Sequence, residues 1–154
     1  MIYYAQVESQ LRYGICIWGS SSSLQKVFLL QKRIVRVMVG VSQRQSCKVY
    51  FTELGILTLP SLYVYECCTY VHKSRDKFIK NYEIHDKNTR QKNLFHVPFK
   101  KKTICKNCLF VSGLEMYNRL PMEITATTNL RLFKNKLKYY LVKKCLYTVN
   151  EFLV

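Results

Sequence analysis

The sequence predicts a mostly α-helical protein: a small helical bundle, a basic irregular loop region, and then a C-terminal amphipathic helical unit. Three observations point that way. Apolar residues recur at spacings of three and four, the period of a helix face, rather than alternating as in a strand. Turn-forming residues, namely Ser20 to Ser23, Gly40, Gly55 and Pro60, punctuate those stretches. The one long stretch without periodicity, residues 75–106, is also the most basic, with ten Lys or Arg against three acids. Three segments follow: a helical segment 1–74, a basic loop or linker 75–106, and a helical segment 107–154.

Taken in order, Val7, Leu11, Ile15 and Trp18 form one helical stripe across Tyr3 to Trp18, with Gly14 inside it. The serine cluster supplies a turn and an N-cap. The helix after it, "LQKVFLLQKRIVRVMVG", presents Leu24, Val27, Phe28, Gln31, Ile34, Val35 and Met38 on one face and stops at Gly40. Leu29, Leu30, Val37 and Val39 lie off that face. Such a helix belongs at the centre of a bundle or under a covering partner. Its four cations, Lys26, Lys32, Arg33 and Arg36, reach solvent on extended stems.

A short helix is expected from Cys47 to Leu54, ended by Gly55. Another has Pro60 at its first helical position and runs to about Lys73. Residues 75–106 read either as a linker or as a pair of irregular strands around "NLFHVPF". In the last third a short helix breaks before Pro121. The segment "TTNLRLFKNKLKYYLVKKCL" is a capped amphipathic helix with Leu130, Phe133, Leu137, Tyr140 and Leu141 inward. Arg131, Lys134 and Lys138 line its other face, and no acid occurs between Glu123 and Glu151.

A chain that is 49% apolar has material for a core, which excludes a disordered class. Its 25 Lys and Arg against 9 Asp and Glu leave a net charge of +16, which favours polyanionic partners and says nothing about fold. The seven cysteines are odd in number, and Glu8 and Arg12 interrupt the N-terminal apolar residues. Reduced thiols in a nuclear or cytoplasmic, non-secreted setting are therefore expected. No apolar run approaches the roughly 20 residues of a membrane-spanning helix.

Four pieces carry a resemblance: "VESQLRYGICIWG" with "LQKVFLLQKRIVRVMVG"; "FTELGILTLPSLYVYE"; "NTR" at Asn88 to Arg90; and "GLEMYNRLPMEI" with "NLRLFKNKLKYYLV". In this order they resemble the C-terminal part of reverse transcriptases from Jockey-type non-LTR retrotransposons. There an aromatic-Asn-x-Leu-Pro element (here Tyr117 to Pro121) precedes a closing Phe-x-x-x-Leu-x-x-x-Leu helix (Phe133, Leu137, Leu141). The resemblance implies a helical thumb and post-thumb segment, beyond the polymerase palm, that contacts template and primer.

The chain departs from that family in its chemistry. The polymerases need clustered carboxylates to hold two metal ions about 3.5–4 Å apart. Here only Asp76 and Asp86 occur, with no Asp-Asp pair. The expectation is a catalytically inert fragment of the RNA-directed DNA polymerase family with no cofactor and with residual non-specific binding to RNA or DNA backbones. The cations expected at phosphates are Lys32, Arg33, Arg36, Lys100, Lys101, Lys102, Arg131, Lys134 and Lys138. Some of the Tyr and Phe residues interleaved with cations are candidates to stack on unpaired bases.

Duller readings stand beside these. Cys105 and Cys108 have the spacing of half a zinc site but lack a second pair, so two ordinary thiols flanking a turn is the default. His72, His85 and His96 read as surface or loop histidines. From another class comes a helical protein-interaction or self-association module, built on the exposed apolar helix. A decayed fragment that binds nothing is a third reading, and a basic helix lying on a membrane surface a fourth.

Overall fold

The computed structural model describes residues 2–84, 89–99, 101 and 108–154. The fold is mostly α-helical, and among the described residues the only β pairing is a single antiparallel bridge between Lys80 and Phe95. A π-helical segment, Tyr3–Glu8, runs into α1 (Ser9–Arg12). Then follow α2 (Ile15–Trp18), α3 (Leu24–Val39), α4 (Lys48–Glu53) and α5 (Leu59–Lys73). Past the loop region come α6 (Leu109–Asn118), α7 (Met122–Thr125), α8 (Leu130–Lys144) and α9 (Asn150–Leu153).

The centre is α5. Thr58 caps it by accepting from the Ser61 N–H, and Pro60 sits in its first turn, where a missing N–H costs nothing. Twelve of its fifteen residues are buried, and the exceptions, Glu66, Tyr70 and Lys73, form one narrow stripe at helical spacing. The other sides are covered by α1, α2, α3, α6 and α8. Small residues let α6 come close: a Cβ built on Gly113 would lie 3.3 Å from Val71 Cγ2, and Ser112 Oγ meets Tyr63 Oη at 3.3 Å. From α8, Phe133, Leu137 and Leu141 are fully buried. One apolar cluster thus runs from Tyr3 to Phe152, drawing on helices from both sides of the basic loop.

Two departures from the sequence reading lie in the first forty residues. The stripe from Val7 to Trp18 is not one helix. Tyr13 is extended, with ψ of 115°, and Gly14 takes φ of +62°, a left-handed turn only glycine enters freely. Trp18 Nε1 closes that turn by donating to the Tyr13 carbonyl at 2.9 Å. Ser23 occupies the N-cap of α3, but its hydroxyl makes no capping bond. At the other end Gly40, at φ of +76°, stops α3 as expected: its N–H reaches the Val37 carbonyl and that of Val41 the Arg36 carbonyl, a Schellman motif.

Gln31, on the inner face of α3, is the polar centre of the N-terminal half. Its Nε2 donates to Tyr3 Oη at 2.8 Å and to the Leu57 carbonyl at 2.9 Å, and its Oε1 accepts from the Leu59 N–H at 2.8 Å. Three segments are thereby pinned by one amide that is 1% exposed. Burial pushes the Tyr3 phenol up to about 12, so it stays a neutral partner.

Among the described residues of the basic region, 79–82 fold back against 92–96, with the Lys80–Phe95 bridge between them. Backbone bonds link Asn81 N–H to Leu94 O (3.0 Å), Tyr82 N–H to Lys92 O (3.0 Å) and His96 N–H to Ile79 O (2.9 Å). The folded-back loop is docked by Asn118 of α6, whose Oδ1 accepts from Phe95 N–H (3.0 Å) while its Nδ2 donates to Phe95 O (2.8 Å). The amide thus acts as a substitute strand edge.

Replacing Gln31 by Leu strands a buried carbonyl, a buried N–H and a phenol together. A loss on the order of 3 kcal/mol is expected in urea unfolding. Gly19→Ala should also destabilise, by about 1–3 kcal/mol, because its Cβ would fall on the Tyr63 ring and the Ile15 carbonyl. An unchanged urea midpoint for either variant would contradict this packing.

Candidate nucleic-acid interface

A chain with so few acids can neutralise few of its cations internally. Among the described residues the ion pairs belong to one arginine: Arg12 Nη2 lies 2.7 Å from Glu8 Oε1 and Nη1 lies 3.2 Å from Glu66 Oε1. The first is an aligned hydrogen bond; the second is an attraction without hydrogen-bond alignment, which leaves Glu66 Oε1 without a donor. Burial raises the Glu66 carboxyl above its ordinary value, with Arg12 and then Lys134 pulling the other way. Other acids serve the backbone: Glu83 accepts from the Lys80 N–H, and Glu151 accepts from Tyr147 N–H and Thr148 Oγ1. Among the described residues the other cations meet aromatic rings, backbone carbonyls, a hydroxyl or solvent.

The α3 trio divides. Lys32 is half-buried, its Nζ 4.7 Å from the Phe28 ring centre and 5.4 Å from that of Tyr147, a cation–π clasp. Arg36 is half-buried and donates through Nε to the Gln45 carbonyl at 2.9 Å. Arg33 is exposed, on the outer face that also carries Lys26, Leu29, Leu30 and Val37.

The α8 cations divide too. Arg131 is exposed, whereas Lys134 and Lys138 are half-buried along the flank that meets the N-terminal segment. Lys134 acts on Glu66, and Lys138 Nζ sits 4.9 Å from the Tyr4 ring centre. Lys136, Lys143 and Lys144 are exposed further round the helix. In the loop Lys101 is exposed, while Lys100, Lys102 and Cys105 lie outside the described residues, as do His85 and Asn88. Cys108 is a half-buried free thiol, and among the described residues no three His, Cys, Asp or Glu side chains gather as a metal-binding group. No helix among them is long and apolar enough to cross a membrane.

Two arrangements were not legible from spacing. His72 is a core residue, not a surface one: it is 4% exposed and stacks on Phe133 with ring centres 3.7 Å apart and planes within 6°. Its Nδ1 lies 2.9 Å from Tyr117 Oη. His96 is exposed, as expected. The second arrangement is a pair of clefts on either side of the Phe95–Asn118 clamp. One, of about 470 Å³, is lined by Arg75, Lys80, Phe95, Tyr117 and Met122 among others. Its neighbour, of about 490 Å³, shares Leu94, Phe95 and Asn118 with it. Exposed aromatic faces accompany the cations at Tyr82 and Phe99, in the same loop region, and at Tyr139 on α8.

Burial, with help from the Arg75 guanidinium, holds the His72 imidazole below its ordinary value of 6.5. The unfolded chain therefore takes the proton first. The stability contributed by this site is complete above pH 6.5 and is lost as pH falls through that value toward the lowered native pKa. NMR titration of the His72 imidazole should give a midpoint below 6.5; a midpoint above that value would refute the stacked, neutral arrangement. Compared with protein-family models, curated proteins and solved structures, the chain finds no match.

Proposed function

We propose that this chain is a helical module of retrotransposon reverse-transcriptase descent, without polymerase chemistry of its own, that grips RNA or DNA backbones without sequence preference. The descent rests on the ordered resemblance to Jockey-type enzymes. The lack of chemistry rests on a sequence with two aspartates and no Asp-Asp pair to hold two metal ions. The grip rests on one observation: among the described residues no Lys or Arg besides Arg12 has a carboxylate within ion-pair distance. Cations in that state are free to pair with phosphates, and a polyphosphate releases its condensed counterions when they do. Backbone contacts carry no base information, so selectivity is not part of the proposal.

Among the described candidate cations the exposed ones, Arg33, Lys101 and Arg131, make the first phosphate contacts. Lys32, Arg36, Lys134 and Lys138 act at shorter range, because their stems are engaged along the protein surface. A helical partner or a second copy is the competing reading, favoured by the exposure of Leu29, Leu30 and Val37 on α3. Light scattering separates the two, since a monodisperse dimer indifferent to nucleic acid would favour the competitor.

Filter binding over a salt series tests the proposal. With about six phosphate contacts the logarithm of affinity should fall against log salt with a slope near −5. The double variant Arg33→Ala, Arg131→Ala should flatten that slope by roughly two. Binding that ignores salt, or that is undetectable at low ionic strength, would overturn the proposal.

A further inference from the structure

We propose that the cleft beside Phe95 receives one unpaired nucleotide of a single strand, its phosphodiester at Arg75 and Lys80 and its base against the Leu94–Phe95 wall. The inference rests on the nucleic-acid reading above and adds to it a place where single strands differ from duplexes. At about 470 Å³ the cleft falls within the roughly 300–1,000 Å³ of ligand clefts.

Three kinds of group converge there. The wall is apolar and aromatic: Phe95 and Tyr117 have ring centres 5.4 Å apart, and Leu94 and Leu120 complete it. The two cations enter from the loop, and neither has an acid partner among the described residues. The third is Asp76, exposed among the lining residues. Its charge disfavours a terminal phosphate, which carries close to two charges, more than an internal phosphodiester, which carries one. It also accepts a hydrogen bond from the exocyclic amine of adenine, cytosine or guanine. An internal nucleotide therefore fits better than a free mononucleotide.

The wall is held rigid, because both atoms of the Asn118 amide are already engaged by the Phe95 backbone. Beyond it the second cleft presents Asn81, Gln91, His96 and Arg119 together with Glu115, so a strand continuing past the wall meets amides, one cation and one carboxylate. Tyr82, half exposed, lies outside the cleft lining but has Lys80 Nζ 5.7 Å from its ring centre. A duplex keeps its bases stacked inside and has nothing to insert.

Fluorescence anisotropy with a labelled mixed-sequence single strand of about twelve nucleotides, and with the matching duplex, tests this. Ala126→Trp places a ring at the cleft, and the exposed position 126 needs no core space. It should weaken single-strand binding by about five- to tenfold and leave duplex binding unchanged. Lys80→Gln keeps its backbone pairing with Phe95, and should flatten the single-strand salt slope by about one without touching the duplex slope. Circular dichroism checks that each variant is folded. Equal losses on both substrates, or no loss on either while salt-dependent binding persists, would overturn the cleft and leave the backbone reading standing. Wild-type protein that binds neither substrate would overturn both.

Discussion

Burying α5 on nearly every side is the constraint from which the rest of this structure follows. A helix with twelve of fifteen residues inside cannot be satisfied by one neighbour, so elements from both ends of the chain are drawn onto it. The apolar area removed from water is the main favourable contribution to folding, at about 25 cal/mol per Å². It also makes the core one continuous unit rather than two. The narrow stripe left uncovered is where charge reaches the central helix, at Glu66 and Lys73.

That packing decides what the charges do. Glu8 lies buried on the N-terminal segment, and Glu66 lies on the edge of the uncovered stripe, so both are held by a shared Arg12. Removing that arginine would leave buried carboxylate without its counterion, which costs far more than losing a surface pair. With Glu8 and Glu66 taken by Arg12, the exposed acids, Glu53, Asp76, Glu115 and Glu123 among them, are outnumbered by the surface cations. Several lysines lie on rings of Phe28, Tyr147, Tyr4 or Tyr140, so part of that charge is held at fixed positions instead of on waving stems.

Much of the fold was legible from spacing and punctuation. The start of α5 follows from Pro60, its length from the apolar run, and the stop of α3 from Gly40. The inward residues Phe133, Leu137 and Leu141 are those the heptad-like spacing marks. The break at Gly14 was hidden because Val7, Leu11, Ile15 and Trp18 keep helical spacing straight across it. The burial of His72 was hidden for another reason: its partners Tyr117 and Phe133 come from distant helices, and no local pattern encodes a ring stack. Arg131, Lys134 and Lys138 do share a line on α8, but a line does not say which side a neighbouring segment covers, and Tyr4 and Glu66 approach two of the three. The resemblance singled out the Asn of "YNRLP" without saying what it holds, since a backbone clamp on Phe95 leaves no trace in composition.

The start of α5 has one further consequence. Thr58 Oγ1 donates to the carbonyl of Leu146, and Ser61 Oγ accepts from the Leu146 N–H, contacts that join residues 88 and 85 positions apart. The seal on the central helix is therefore supplied by chain synthesised long after it. A growing polypeptide must carry that helix half-clothed, with its apolar sides open to chaperones or to other chains, until the last helices emerge. Shortening the protein after α8 would remove more than a tail, because it would reopen the middle of the molecule.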